Sequence, residues 1–409
     1  MRIHESFVQR ETDAPMFSRG STIGWRKTFT AMMLMAGATA IGLAQHHDGD
    51  DAFKPFLPLQ VSTIPSNGDT TPYGLAFVPH DFPDNATITP GELLVSNFNS
   101  STTAGQGSTI ITVDPRSGKT GLFFQGNSSI GFTLALTIAR AGLVFAGSLP
   151  TSGGTAEPGP LDVFDANGNL LMQLGSSHLV DGPWGMALND HGDTAQLFVS
   201  NIFDTKGNFA GSITRLDVSL SASGITVLKA TTIAKGYTSA ADTAGTVVGP
   251  AGLAYDREND TLYVAAEGDN AIYKLKGAGT TTTNLGKGQV VFDDQTVLHG
   301  PLGLIFAPNG DLILANADPA HFSPTATDPS EIIEITRGGT FERKFSIDPN
   351  PGAAFALLVK DKDRHFSDDH QDFDHHDDLE SEQFVYIDDF VSNCIIWKLA
   401  KLKEEHTGD

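Results

Sequence analysis

The fold of this chain is decided by a module that is best preserved over residues 250–275, PAGLAYDRENDTLYVAAEGDNAIYKL. It begins with an apolar Pro-x-Gly-Leu-Ala start, continues with a β-rich Leu-x-Val-Ala segment and ends with Ile-x-x-Leu. Apolar positions alternate with polar ones, and a turn cluster separates the first two segments. Together with the residues that follow, the stretch predicts four short strands, at Gly252 to Tyr255, Thr261 to Ala265, Asn270 to Leu275 and Gln289 to Phe292.

The module occurs six times along the chain of 409 residues. Its starts are Pro72, Gly131, Pro183, Pro250, Pro301 and Pro351, with the second and sixth copies the least regular. A period of roughly 50 residues with several strands per copy is typical of a propeller. The sequence therefore predicts an all-β fold, a six-bladed β-propeller of four-stranded blades.

The last copy lacks a fourth strand, because the chain becomes charged after Ile395 to Leu399 and then ends. A strand-like stretch from Phe56 to Ile64 precedes the first copy and has no partner of its own. We predict that this N-terminal strand completes the last blade, which leaves no open seam. The predicted organisation is a signal peptide (1–44), a flexible acidic leader (45–55), the propeller (56–400) with an acidic, His-rich insertion (361–382), and a charged tail (401–409).

The N-terminus has the pattern of an export signal. Arg26 and Lys27 precede an apolar run from Thr28 to Leu43, and small residues follow that could be cleaved. We therefore expect an exported protein, periplasmic or extracellular, with no membrane span after signal cleavage. An uncleaved N-terminal anchor is the alternative.

Charge and cysteine content restrict the partners. The formal net charge is −23, which argues against a nucleic-acid partner because phosphate binding requires a basic surface. The single cysteine, Cys394, cannot form an intramolecular disulfide, and we expect it to be a buried structural thiol. We expect a monomer whose partner is a small molecule, a polymer or a protein.

The pattern over residues 250–275 resembles that of NHL-repeat propellers, and the resemblance extends over about residues 56–400. The segments Gly182 to Ala187 and Leu197 to Asn201 also look like those of a group of uncharacterised exported bacterial propellers. A more distant likeness is to the gluconolactonase and paraoxonase propellers. That likeness implies a Ca²⁺ ion in the central channel, held by Glu, Asn and Asp side chains.

Polar residues recur where the second strand of a copy ends or the inner strand begins, at one face of the disc. Carboxylate and amide oxygens around a channel are the ligands that Ca²⁺ requires. The candidate channel-face ligands are Asn97, Asp181, Asn201, Glu267, Asn316, Asp388 and Asp389. The alternative is that these side chains only cap turns. His299, just before Pro301, is the one weak candidate for a catalytic base.

Two further sets of residues could contribute to a site. The insertion carries His365, His370, His375 and His376 among carboxylates, which suits loose binding of a transition metal. The alternative is a solvated loop without a site. Tyr73 and Trp184 share one position of the module and could form an aromatic rim at the channel mouth, or else pack between blades.

Two function classes remain open. The first is a secreted NHL-type binding module that holds a ligand or protein on its loop-rich channel face, with or without a channel metal. The second is a calcium-dependent hydrolase or lyase of the lactonase or esterase type, in which Ca²⁺ polarises a carbonyl oxygen. The absence of a nucleophile motif in the sequence favours binding.

Overall fold

The computed structural model describes residues 58–84, 86–127, 129–242, 246–316, 329–360 and 383–398. Over these residues the chain forms six four-stranded antiparallel sheets, which are arranged as the blades of a β-propeller. The predicted fold class is therefore confirmed. The segments predicted as signal peptide, acidic leader, His-rich insertion and charged tail lie outside the described residues. No helix in the described ranges is long and apolar enough to cross a membrane.

The blades follow one another along the chain, each with its inner strand first. Strand β1 (Leu59–Ser62) precedes them. Blade 1 contains β2 (Thr70–Phe77), β3 (Leu93–Asn99), β4 (Thr109–Val113) and β5 (Thr120–Gln125). Blade 2 contains β6 (Phe132–Ala139), β7 (Leu143–Ser148), β10 (Leu161–Asp165) and β11 (Leu170–Leu174), with the small hairpin β8 (Thr151–Ser152) and β9 (Thr155–Ala156) inserted. Blade 3 contains β12 (Pro183–Asp190), β13 (Thr194–Phe203), β14 (Phe209–Ser221) and β15 (Gly224–Tyr237).

The second half of the chain repeats this arrangement. A second small hairpin, β16 (Ala240–Asp242) and β17 (Thr246–Val248), leads into blade 4. Blade 4 contains β18 (Pro250–Asp256), β19 (Thr261–Ala266), β20 (Ala271–Lys276) and β21 (Gln289–Phe292). Blade 5 contains β22 (Pro301–Phe306), β23 (Leu312–Asn316), β24 (Ser330–Ile335) and β25 (Phe341–Asp348). Blade 6 contains β26 (Ala354–Lys360), β27 (Gln383–Asp388) and β28 (Asn393–Lys398). Two 3₁₀ turns, Ser176–His178 and Glu267–Asp269, complete the described secondary structure.

The N-terminal strand closes the propeller as predicted. Strand β1 pairs antiparallel with β28, with Val61 opposite Cys394, and becomes the outer strand of blade 6. Thr63 extends the closure, because its backbone N–H and its hydroxyl both donate to the Ser392 carbonyl oxygen (2.9 and 2.8 Å). Cys394 is fully buried, and this burial raises its thiol pKa to about 12. It is the structural thiol expected from the sequence.

The register of the blades corrects two of the module starts. In blades 1, 3, 4 and 5, the starting proline pairs with the end of the second strand, for example Pro72 with Asn97. Phe132 and Ala354 hold the equivalent positions, opposite Ser148 and Asp388. The second and sixth copies therefore begin at Phe132 and Ala354 and not at Gly131 and Pro351. Neither start has a proline, so the sequence lacked the residue that marks the position in the other copies.

The glycine of the module is required by the contact between neighbouring inner strands. A Cβ atom at Gly74, Gly185, Gly252 or Gly303 would lie less than 3.0 Å from a carbonyl oxygen of the next blade's inner strand. These oxygens belong to Thr133, Ala251, Leu302 and Phe355, respectively. The backbone of one blade therefore lies where a side chain of its neighbour would be. The small residue sets how closely successive blades approach each other.

Separate apolar cores lie between neighbouring blades. A short side chain of one inner strand packs in the same core as a long side chain of the next, as with Ala76 and Leu136 between blades 1 and 2. Ala254 and Leu304 repeat this arrangement between blades 4 and 5. Because adjacent blades share each core, no blade can bury its apolar faces alone.

We predict that Gly252→Ala destabilises the protein by about 1–3 kcal/mol, because its new methyl group would overlap the backbone of blade 5. Thermal unfolding measures the change. Gly175→Ala is the control, because a Cβ there meets nothing within 4 Å and the Gly175 φ is −123°. Equal unfolding temperatures for the two variants would show that the blade contact tolerates a side chain.

Candidate functional site

A cavity of about 340 Å³ lies on the propeller axis. Residues from the inner strands of all six blades line it, and Thr137 is the only lining residue with an oxygen or nitrogen in its side chain. In blade 1 the lining residues are Leu75 to Phe77, the last three residues of β2. In blades 3 and 4 they lie in the middle of the inner strand, as with Met186 and Leu253. The cavity therefore lies beside the middle and later parts of the inner strands. None of the predicted site residues lines it.

One residue from each blade forms the core of this lining. We call these six residues the channel ring: Leu75, Leu136, Met186, Leu253, Leu304 and Leu357. In five blades this residue is the one at which the inner strand rejoins its partner after a β-bulge. In blade 3 the pairing resumes one residue earlier, at Gly185, and Met186 follows it. The ring was not among the sites predicted from the sequence, although an apolar residue follows the module glycine at Gly74, Gly185, Gly252 and Gly303. That recurrence was the available signal.

An aromatic cluster lies at the start of the inner strands. Tyr73 stacks on Phe98 (ring centroids 4.7 Å apart) and on Phe355 (4.4 Å), and Trp184 contacts Tyr73 edge-on at 5.6 Å. Tyr73 belongs to blade 1 and Trp184 to blade 3, so this contact links blades that are not adjacent in the sequence. The two residues predicted as an aromatic rim do meet, but they are only 4% and 2% exposed. They are therefore packing residues and not an open rim.

Two of the predicted amide ligands hold the connection that leads into their own blade. The Asn201 Oδ1 atom accepts a hydrogen bond from the Asp181 backbone N–H (3.1 Å), and its Nδ2 donates to Thr214 Oγ1 (3.2 Å). In blade 5, Asn316 Oδ1 accepts from the His299 N–H (2.5 Å) and Nδ2 donates to the Val297 carbonyl oxygen (2.9 Å). Both amides join the end of a second strand to the residues just before the inner strand. These contacts fit the turn-capping alternative.

The third amide, Asn97, has a different pattern. It is fully buried, and its Nδ2 donates to the Thr63 carbonyl oxygen and to Thr109 Oγ1, each at 3.2 Å. Its Oδ1 atom is buried and has no hydrogen-bond partner within the described ranges. Asn97 thereby links blade 1 to the chain that follows the closing strand. The side-chain oxygens of Asn201 and Asn316 each accept a hydrogen bond from a backbone N–H, whereas that of Asn97 accepts none among the described residues.

The carboxyl candidates lie in separate surroundings. Asp181 is buried and accepts a hydrogen bond from the Ser176 hydroxyl, and burial raises the pKa of its carboxyl group. Glu267 is buried at the start of the second 3₁₀ turn, where its carbonyl oxygen accepts from the Asn270 N–H. The Asp181 and Glu267 side chains therefore lie beside different turns. Within the described ranges, no three His, Cys, Asp or Glu side chains are grouped so that they could hold a metal ion.

Asp388 and Asp389 form a pair at the turn between β27 and β28. Burial raises the pKa of Asp388 to about 6, and the charge of Asp348 raises it further. Burial also raises the pKa of Asp389 to about 7, although a hydrogen bond with Thr71 of blade 1 opposes the increase. The Oδ1 atoms of both residues are buried and have no hydrogen-bond partner within the described residues.

The four histidines predicted as transition-metal ligands, His365, His370, His375 and His376, lie outside the described ranges.

Solved structures with a similar fold include a gluconolactonase, a lyase and a calcium-binding protein. A gluconolactonase from Xanthomonas campestris is 11% identical, with a TM-score of 0.48 over 84% of this chain and 90% of that one. Virginiamycin B lyase from Staphylococcus aureus is 13% identical, with a TM-score of 0.46 over 84% and 99%. Regucalcin from Agrobacterium tumefaciens, a calcium-binding protein, is 13% identical, with a TM-score of 0.42 over 74% and 86%. No family profile and no curated protein sequence matches the chain, so the NHL-repeat assignment stays a prediction.

We predict that Asn201→Ala lowers the free energy of unfolding by about 1–3 kcal/mol, because it leaves the buried Asp181 N–H without its acceptor. If Asn201 has only a structural role, the free energy of unfolding should fall by the same amount in buffer with added calcium and in buffer with chelator. Asn284→Ala is the control, since Asn284 is exposed and its amide accepts only from the nearby Gly286 N–H. A loss confined to calcium-containing buffer would instead identify Asn201 as a metal ligand.

We predict that stability falls as pH rises from about 4 to about 7, in part because of Asp389. Its folded pKa is about 7 and its ordinary value is 3.8, so the folded state retains the proton over this interval. Asp389→Asn should make the decline shallower, as measured by thermal unfolding over a pH series. The exposed Asp294, whose pKa a Thr296 hydroxyl lowers, supplies the control variant Asp294→Asn. An unchanged slope in Asp389→Asn would contradict the assignment.

Proposed function

We propose that this protein binds a small aliphatic molecule in the cavity on its propeller axis. The observation that carries the proposal is the channel ring, in which every blade contributes one large apolar side chain to the same space. A cavity of about 340 Å³ is at the lower end of the range typical of ligand pockets. The ligand is therefore small, and it would contact apolar side chains together with polar atoms of the backbone.

The free energy of binding would come mainly from removing the ligand's hydrocarbon surface from water. Each buried CH₂ group contributes about 0.8 kcal/mol. Lining residues such as Met186 and Ile305 are half-buried, so part of the cavity wall is also in contact with solvent when the cavity is empty. No lining side chain is charged, which disfavours a ligand whose buried part carries a charge.

This proposal keeps the binding function expected from the sequence but changes its place. The sequence placed the site on the face where the inner strands begin. That end of the axis contains the aromatic cluster, whose four rings are at most 9% exposed. The space available to a ligand lies beside the middle and later parts of the inner strands. Export to the periplasm or the exterior, a monomeric state and the lack of a nucleic-acid partner remain part of the proposal.

A calcium-dependent hydrolase or lyase is the second candidate, and the pair Asp388 and Asp389 favours it. Two carboxyl groups with raised pKa values at one turn are a feature of catalytic acids and bases. Asp388 occupies the blade position that Asn97, Asn201 and Asn316 hold elsewhere. Ca²⁺ bound there would polarise a substrate carbonyl group. The calcium arm of the Asn201→Ala experiment addresses this alternative at the same set of positions.

We predict that the protein binds the apolar fluorescent probe N-phenylnaphthylamine and that Met186→Phe weakens this binding at least tenfold. The larger, stiffer side chain would occupy the space that the flexible methionine leaves free. Titration by fluorescence measures both dissociation constants. Leu228→Phe is the matched control, because Leu228 is 63% exposed on β15, away from the axis.

Two results would contradict the proposed function. The first is a wild-type protein that does not bind the probe. The second is equal binding by Met186→Phe and wild type, which would place the probe on another surface, such as the exposed outer strands. Thermal unfolding of both variants checks that a loss of binding does not come from a loss of fold.

A further inference from the structure

Thr137 of β6 differs in chemistry from the residues that hold the same position in the other blades. In every blade one residue directly follows the member of the channel ring on the inner strand. Blades 1, 3 and 4 have alanine there, and blades 5 and 6 have Ile305 and Leu358. Only blade 2 has a residue with a hydroxyl group, and that residue lines the cavity. The cavity wall therefore contains one polar side chain at a position that is otherwise apolar.

The exposed part of Thr137 lies on the cavity side of β6. Its two neighbours, Leu136 and Ile138, are buried in the core that blades 1 and 2 share. Thr137 pairs with Phe145 of β7, so the outer edge of β6 is covered at this point. Ala139, which lies nearer the end of the strand, is fully buried. Solvent therefore reaches the half-buried Thr137 through the cavity and not around the end of the strand.

The Thr137 hydroxyl has no hydrogen-bond partner among the described residues. By contrast, Thr133 on the same strand donates from its Oγ1 to the Pro183 carbonyl oxygen (2.7 Å). A half-buried hydroxyl without a protein partner is hydrogen-bonded to water while the cavity is open. A ligand that fills the cavity displaces that water, so it must supply a new partner or leave the hydroxyl unsatisfied.

We propose that the ligand of the channel cavity is an uncharged aliphatic molecule with one oxygen acceptor, and that the Thr137 hydroxyl donates a hydrogen bond to this oxygen. This inference rests on the proposed function. The hydrocarbon part of the ligand contacts the channel ring. Thr137 thus determines specificity, since it distinguishes a ketone from an apolar molecule of the same size.

The chemistry of the wall selects a neutral oxygen over a charged group. A carbonyl oxygen accepts the Thr137 proton and needs no further partner. A ligand hydroxyl also accepts this proton, but its own proton then needs an acceptor from the backbone. A carboxylate or an ammonium group would be costly to bury, because no lining side chain carries the opposite charge. A ketone therefore matches the wall with the fewest additional contacts.

The test measures the binding of 2-hexanone and 1-chlorohexane, whose chains are similar in length, by isothermal titration calorimetry on the full chain. Affinities are compared between proteins for each ligand, because the two ligands differ in hydrophobicity. Thr137→Val replaces the hydroxyl with a methyl group of similar size. It should weaken 2-hexanone binding about fivefold, which is the effect of one net hydrogen bond. The affinity for 1-chlorohexane should stay equal or rise, because this ligand leaves the wild-type hydroxyl unsatisfied.

Two further variants of Thr137 separate the hydroxyl from the shape of the side chain. Thr137→Ser keeps the hydroxyl, so the ratio of its two affinities should match the wild-type ratio. Thr137→Ala removes the hydroxyl and places the alanine of blades 1, 3 and 4 in blade 2, which provides a second test if Thr137→Val does not fold. Thermal unfolding confirms the fold of every variant.

Thr226→Val is the matched control for the loss of a threonine hydroxyl. Thr226 is exposed on the outer strand β15, away from the axis. Its replacement should leave the affinities for 2-hexanone and 1-chlorohexane unchanged.

The outcomes separate this inference from the proposed function. Equal 2-hexanone affinity in wild type and Thr137→Val would overturn the inference and keep the aliphatic cavity. An equal loss of affinity for both ligands would also overturn it, since the effect would then be one of shape. A loss for 1-hexanol but not for 2-hexanone would show that the hydroxyl accepts, which contradicts the proposed direction of the hydrogen bond.

The wild-type protein provides the remaining distinction. If it binds N-phenylnaphthylamine but not 2-hexanone, only this inference is wrong. If it binds none of these compounds, the proposed function is wrong as well. A fivefold loss that is specific to 2-hexanone in Thr137→Val, and absent in Thr137→Ser, would support both.

Discussion

The structure depends on the contact between the module glycine of one inner strand and a backbone carbonyl group of the next. At Gly74, Gly185, Gly252 and Gly303 that carbonyl oxygen occupies the space of a Cβ atom. Because successive inner strands approach this closely, their following residues converge on one axis. The interblade cores, the channel ring and the cavity are consequences of this approach. The glycines therefore determine the position of the candidate site, and Gly252 and Gly303 also line it.

The two ends of the axis have different chemistry because two adjacent positions of the module differ. The position before the glycine holds Tyr73, Trp184 and Phe355 in three blades, whose rings meet and fill their end of the axis. The position after the glycine holds the channel ring, whose aliphatic side chains leave a cavity. A ligand that enters from the ends of the inner strands would meet hydrocarbon. The one lining side chain with a polar atom is that of Thr137, and the other polar atoms of the wall belong to the backbone.

The recurrence of asparagine at one position of the module is compatible with two different roles. Asn201 and Asn316 recur at one position of the module, as metal ligands would, but their amide groups bond to the chain entering the same blade. These hydrogen bonds are required because the backbone N–H groups of a buried connection need acceptors. Asp388 holds the same position without that neutral amide, and its raised pKa reflects the burial of a charge. A repeated turn cap and a ring of metal ligands therefore both produce a polar residue at the same position of successive copies in the sequence.

The sequence by itself determined the all-β class, the six blades, the four-strand pattern and the closing strand, because each follows from local periodicity and from one unpaired segment at each end. The sequence also shows an apolar residue after each module glycine, but it does not show that these residues line one cavity. Only the tertiary structure decided that Tyr73 and Trp184 are buried together, that the asparagines cap connections, and that Gly252 and Gly303 reach the cavity. The aromatic contact and the cavity depend on approaches between different blades, and the asparagine caps depend on how each connection folds back onto its own blade. No local pattern records which face of a strand meets its neighbour.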